Sequence, residues 1–137
     1  MAVMSDSEPA QPSKIGLLGG TFDPIHIGHL LIAEDAREAL GLDTVVFIPA
    51  GRPWLKATQS VTDPQHRLAM VGLAIGPNPH FQVSDIEIRR QGPTYTVDTL
   101  EQLQQDYSPN TEKFLILGMD SLNELEQWRS PERLFDL

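Results

Sequence analysis

Two histidines, His26 and His29, stand three residues apart in the stretch Gly19-Gly20-Thr21-Phe22-Asp23-Pro24-Ile25-His26-Ile27-Gly28-His29. At that spacing two side chains share one face of a helix. The glycines before them follow a short apolar run, Ile15–Leu18. A strand that empties through glycines into a helix N-terminus leaves backbone N–H groups aimed at whatever sits there, and the helix dipole adds to their pull on an anion. Two switchable cations beside such a phosphate cradle point to chemistry on a polyphosphate. The spacing is neither that of a P-loop, since no GxxxxGK[ST] occurs, nor that of the dinucleotide fingerprint, since no GxGxxG passes through Gly16, Gly19 and Gly20.

The remaining composition narrows the setting. The chain has 137 residues, 40% of them hydrophobic and 21% charged, which is enough for one domain with a true core but not for two. Ten Lys and Arg against 19 Asp and Glu give a net charge of −9, the wrong sign for a nucleic-acid groove. An acidic protein that binds a polyanion must concentrate its few cations, so Arg52, Lys56, Arg129 and Arg133 stand out because they fall in loops that carry motifs. Each one by itself also reads as a solvated surface charge. No cysteine is present, which excludes disulfides and thiolate metal sites and fits a reducing cytoplasm. No apolar run approaches the roughly 18 residues of a membrane span. Met1–Ser13 is polar and acidic with two prolines, and it reads as a disordered tail rather than a targeting peptide, leaving residues 14–137 as the domain.

The elements that must position the histidines alternate along the chain. Ile15–Leu18 reads as a strand, Gly28–Leu40 as a helix closed by Gly41, and Thr44–Ile48 as a buried β-branched strand. Thr62-Asp63-Pro64 supplies an N-cap and a first-turn proline for a helix that runs to Ile75 and stops at Gly76-Pro77. Phe81–Ile88 alternates as a strand, Tyr95–Asp106 is helical, Lys113–Leu117 is a fourth strand, and a last helical region follows Asp120. Such alternation implies right-handed crossovers and a parallel sheet. Ligands of these sheets bind outside the carboxyl ends of the strands, near the switch in strand order. Gly19-Gly20, Pro49-Ala50-Gly51 and Gly118-Met119-Asp120 all lie just past a predicted strand end.

GGTFDPIHxGH resembles the signature of the HxGH nucleotidyltransferase superfamily and, within it, the bacterial nicotinate-nucleotide adenylyltransferases. Three later segments extend the likeness: Ile48-Pro49-Ala50-Gly51-Arg52-Pro53-Trp54-Leu55-Lys56, Pro93-Thr94-Tyr95-Thr96-Val97-Asp98-Thr99-Leu100, and Phe114–Leu122 with Trp128. Together they cover roughly Lys14 to Leu137. The resemblance implies a Rossmann-like α/β fold, a parallel sheet with flanking helices, and adenylyl transfer from ATP to nicotinate mononucleotide with release of pyrophosphate. ATP with Mg²⁺ and nicotinate mononucleotide would be its partners, with no nucleic acid and no membrane. A homo-oligomer stays compatible with the sequence, and no metal-ligating residue is assigned.

The chemistry can be reasoned beside that likeness. A nucleotide phosphate has a second pKa of about 6, so the attacking group is already largely ionised and needs no general base. The difficulty is gathering several negative charges, which makes positioning and charge neutralisation the main contributions. His26, His29 and Lys56 are the expected catalytic residues. If the histidines act as cations, contact with phosphate should raise their pKa.

By the resemblance, Gly19, Gly20, Thr21, Phe22, His26, Gly28, His29, Gly118 and Asp120 would line the ATP site, with Gly28 letting adenosine approach the backbone. Lys56, Tyr95, Thr96, Trp128 and Arg129 would line the mononucleotide site, amides around Thr96 and Arg129 taking the nicotinate carboxylate and Trp128 its ring. Plainer readings compete: Asp23-Pro24 as a turn former, Phe22 as packing under the loop, Asp120 as a helix cap, and Trp128 as core. Pro53-Trp54-Leu55-Lys56 departs from the family's commoner Pro-Pro-His-Lys, and Leu55 removes a cation, leaving more of the burden on Lys56.

The family also continues to a further strand and a Ser-x-x-x-Arg element that grips the ATP phosphates. None occurs before Leu137, so the chain reads as a domain lacking its last strand and C-terminal helices, keeping the pyridine-nucleotide half and part of the ATP site. Phosphopantetheine adenylyltransferases would usually have Thr at the position of His26 and lack the Thr-Tyr-Thr and Trp128 segments. A cytidylyltransferase would favour a different C-terminal signature. A nucleotide-binding or dimerisation module without catalysis is the alternative of another class.

Overall fold

The period-two alternation of the first two strands divides the core between the two faces of one sheet. The structure, a computed structural model, describes residues 12–51, 61–90 and 95–117. In β1 (Lys14–Gly20) Ile15 and Leu17 point to one face and Leu18 to the other. In β2 (Thr44–Pro49) Val46 and Ile48 join the first set, Val45 and Phe47 the second. Both strands are buried almost throughout, as strands covered on two sides must be.

Four strands pair in parallel in the order β3-β2-β1-β4, with β3 at Phe81–Val83 and β4 at Glu112–Ile116. Leu18 stands opposite Phe47 on one side and Ile116 on the other. Helices α1 (Ile27–Leu40) and α2 (Pro64–Ile75) supply Ala33, Val71 and Ile75 to the Phe47 face. Short α3 (Ile86–Arg89) and α4 (Thr96–Asp106) supply Ile86, Leu100 and Leu103 to the other. This is the Rossmann-like parallel sheet with flanking helices that the sequence implied.

The local signals act as read. Asp63 is the N-cap of α2, its Oδ1 accepting from the Gln65 amide at 2.8 Å, and Pro64 opens the helix. Gly41 closes α1 in the left-handed conformation at φ 65°.

Phe81–Ile88 is a correction. The strand ends at Val83, because the apolar positions slip phase: Phe81 and Val83 are two apart, but the next, Ile86, is three on. Ser84 fills the break, its Oγ accepting from the Ile86 amide at 3.3 Å, and α3 begins. Order also starts before Lys14. The Ser13 amide and hydroxyl both donate to Asp43 Oδ2, and the Thr111 hydroxyl donates to the Pro12 carbonyl.

Strands β1, β2 and β3 are laid down in one direction across the sheet, and the chain then returns past β1 to place β4 on its far side. The switch in strand order therefore falls between β1 and β4. The loop from Thr21 to His26 leaves the carboxyl end of β1 at that point.

Candidate active site

α1 starts at this switch point, and its N-cap is His26. The ring folds back so that Nδ1 accepts from the Gly28 amide at 3.1 Å, while the His26 amide donates to Nδ1 of His29, also at 3.1 Å. The pair forms a reciprocal capping box in which imidazole nitrogens do what Ser oxygen and Glu carboxylate usually do. Gly28 makes room for it: a Cβ there would stand 3.0 Å from His26 Nδ1 and Cε1. The two rings stack, centroids 3.9 Å apart at 30°.

Below them the Phe22 ring is buried and meets His29 edge-on at 4.9 Å, with Phe47 behind it at 5.9 Å. Phe22 adopts φ 51° to drop its ring into the core, a conformation that costs a non-glycine residue energy. Any contact from Phe22 to a ligand therefore falls to its backbone.

The protonation pattern follows from these bonds. An Nδ1 that accepts an N–H carries no proton, so each neutral ring holds its proton on Nε2 and offers a donor there. Burial, and then the charge of neighbouring His26, push the His29 imidazole below its ordinary value. Without a ligand, His29 is thus held toward a neutral Nε2–H donor. No acidic residue stands in the first turn of α1 to oppose an anion.

Thr21 and Asp23 tie the loop to its surroundings. The Thr21 carbonyl accepts from Arg67 at 2.9 Å, and Asp23 Oδ2 accepts from the Thr62 amide at 2.9 Å, so Asp23 does more than turn the chain. Gly20 accepts through its carbonyl from the Ala50 amide, joining the ends of β1 and β2.

Tyr95 and Thr96 lie at the start of α4, where Tyr95 supplies no side-chain cap and Asp98 stands in the first turn. In a parallel sheet the helices after each strand begin at the same carboxyl edge, so this helix end shares the edge with His26. Thr99, one turn on, is buried and donates to Glu87 Oε2 at 2.7 Å while accepting from Arg90 at 3.0 Å. Lys56, Gly118, Asp120, Trp128 and Arg129 lie outside the described residues.

A groove of about 470 Å³ lined by Val46, Gln82, Ser84, Asp85 and Tyr107 shares no residue with the histidine mouth. It lacks histidine, lysine and arginine, so the chemistry argued from the sequence does not belong there.

The residue that sequence reasoning missed is Arg67. It is fully buried, and its guanidinium donates to four backbone carbonyls. A signal was available: positions 67, 71 and 75 are one face of α2, the buried one, and a charge on an apolar stripe needs partners.

A model of the cytidylyltransferase-like family matches residues 17–137. The chain belongs to that family. Among curated relatives, a Dehalococcoides mccartyi protein named "Probable nicotinate-nucleotide adenylyltransferase" is 49% identical over 124 residues, covering 90% of this chain and 61% of the relative. A Roseiflexus protein of the same name is 53% identical over 125 residues, covering 91% and 62%. This family member thus spans about three-fifths of the length of those two relatives. Among solved structures, Plasmodium falciparum nicotinic acid mononucleotide adenylyltransferase complexed with NaAD superposes with a TM-score of 0.76 at 22% identity, covering 89% of this chain and 60% of that one. At that identity the likeness speaks for the fold.

Proposed function

We propose that the chain carries out adenylyl transfer from ATP to nicotinate mononucleotide, giving nicotinate adenine dinucleotide and pyrophosphate, a step of NAD biosynthesis in the cytoplasm. The observation that supports it most is the interlocked histidine pair at the switch point, with two Nε2 edges offered to phosphate oxygens. Relatives about half identical to the chain, and named for this reaction, support the choice of substrate.

In the reaction a mononucleotide phosphate oxygen attacks the α-phosphorus of ATP. A new P–O bond forms as the bond from that phosphorus to the bridging oxygen breaks, and pyrophosphate leaves with the electron pair. The attacking oxygen carries its charge already, so no side chain removes a proton. His26 and His29 hydrogen-bond the phosphates as charge moves onto the leaving group, a contribution that counts in the transition state. Phosphate favours a charged imidazole, but at His29 the added proton would go to Nδ1, which accepts the His26 amide, so His29 serves as a neutral Nε2–H donor. Lys56 adds positive charge by resemblance.

Mg²⁺ enters, as the resemblance implies, as part of the MgATP substrate. By the resemblance, backbone N–H groups at the start of α4, around Thr96, would take the nicotinate carboxylate, and they would do so against the charge of Asp98 in the same turn. Among the described residues no helix is long and apolar enough to cross a membrane.

Pyrophosphate release with ATP and nicotinate mononucleotide, nicotinamide mononucleotide or phosphopantetheine tests the reading. Fastest release with the acid mononucleotide is expected. Turnover of phosphopantetheine in its place, or nucleotide binding without turnover, would overturn it.

A further inference from the structure

Arg67 sits in the first turns of α2, and every nitrogen of its guanidinium is engaged. Nε donates to the Thr62 carbonyl at 2.8 Å, Nη1 to Thr21 at 2.9 Å and Ala50 at 2.6 Å, and Nη2 to Gly51 at 3.1 Å. The four carbonyls come from three separate segments: the loop after β1, the loop after β2, and the residues that lead into α2. Asp23 and Asp63 lie close enough to favour the charge that burial opposes. Only the planar fork of an arginine reaches four acceptors in this way; a lysine has a single nitrogen.

Two of those segments border the candidate site. Thr21 opens the loop that ends at His26. Gly51 lies so close to α3 that a Cβ on it would stand 2.3 Å from the Glu87 carbonyl oxygen and 3.2 Å from the Ile88 Cα. Glu87 in turn receives the Thr99 hydroxyl of α4. A chain of direct contacts thus runs from the histidine loop through Arg67 to Gly51, on to α3, and to the first turns of α4.

We propose that Arg67 is a positioning residue that fixes the histidine loop relative to α4, and so sets the separation of the two substrate halves without touching either. This rests on the adenylyl-transfer reading for what the two ends bind. It accounts for a buried cation that no packing need explains, and it gives the β1 and β2 loops a common rigid anchor.

Arg67→Lys and Gly51→Ala in the full 137-residue chain test it, by amide hydrogen exchange and by initial rates of pyrophosphate release. Arg67→Lys should speed exchange about ten-fold or more in peptides spanning 19–26 and 47–51 while leaving 69–75 unchanged. It should lower kcat about 30-fold, with KM for each substrate within about three-fold, because a small misplacement of bound reactants is paid in the chemical step. A wild-type kcat would overturn the proposal. So would uniformly faster exchange in every helix with rates falling only in proportion to the folded fraction.

Should Arg67→Lys fail to fold, Gly51→Ala carries the test from the far side of the same contact. It leaves Arg67 in place and must reproduce the kcat loss; a wild-type kcat there overturns the proposal equally. Should the wild-type chain release no pyrophosphate, the adenylyl-transfer reading fails. The exchange pattern still decides whether Arg67 joins the loops, and wild-type exchange in both peptides would sink it.

Discussion

Replacing His26 by alanine removes the Nδ1 atom that meets the Gly28 amide at 3.1 Å and, with it, the Nε2 donor that the proposed reaction assigns to phosphate. Replacing it by asparagine removes only the second, because Asn is among the best N-caps and its Oδ1 can take over the amide. Loss of an N-cap to alanine costs about 1 kcal/mol, which for a chain of this size is about 3–5 °C in the unfolding midpoint. Loss of one donor to developing phosphate charge costs about 10²–10³ in kcat. The two variants should therefore be equally poor enzymes but melt differently, His26→Asn within about 1 °C of wild type and His26→Ala several degrees lower. Thermal unfolding by circular dichroism and the pyrophosphate assay read the two quantities separately. A His26→Asn rate within about three-fold of wild type would refute the role of Nε2, and an unshifted midpoint for His26→Ala would refute the cap.

Further expectations concern the same mouth. His29 is held below its ordinary value of 6.5 by burial and by His26. Between the lowered value and 6.5 the unfolded chain binds more protons, so this contribution to stability is full above about pH 6.5 and is lost as pH falls through that window. His29→Gln, which keeps an acceptor for the His26 amide, should flatten the fall in melting temperature between pH 7 and 5; an unchanged slope counts against the shift. Gly28→Ala gains about 1 kcal/mol of helix propensity and loses about as much cap as the His26 ring is displaced. Its midpoint should stay within about 2 °C while kcat falls ten-fold or more, and full activity would show that the ring's fold-back is dispensable. Phe22→Ala should cost about 3 kcal/mol in urea unfolding, as buried Phe truncations do; a loss under about 1 kcal/mol would mean that Phe22 is not part of the core.

Much of this fold was legible because βα alternation, Asp63-Pro64 and Gly41 are local signals whose structural outcome is also local. β3 was drawn too long because period-two counting tolerated the slip at Ser84-Asp85, and only the burial of Ile86 on the α4 face exposes it. The histidines were found by type and spacing, but their mutual capping was not, since histidine is an uncommon N-cap and the backbone geometry that admits it cannot be read from a string. Arg67 escaped for the opposite reason. The cations that stand out in the sequence lie in loops, whereas this one sits in the first turns of α2 and its four acceptors are main-chain atoms, which no residue pattern records.

The capping of the two rings also decides which ions the mouth refuses. A transition metal needs a lone pair on imidazole nitrogen. At both histidines the Nδ1 pair is already taken by an amide. Freeing the Nε2 pair would move the ring proton to Nδ1, against an N–H, and unwind the first turn of α1. Two adjacent histidines that look like a chelating pair on paper should therefore hold zinc or nickel poorly, and a phosphate-handling site keeps its donors clear in a cell that contains both.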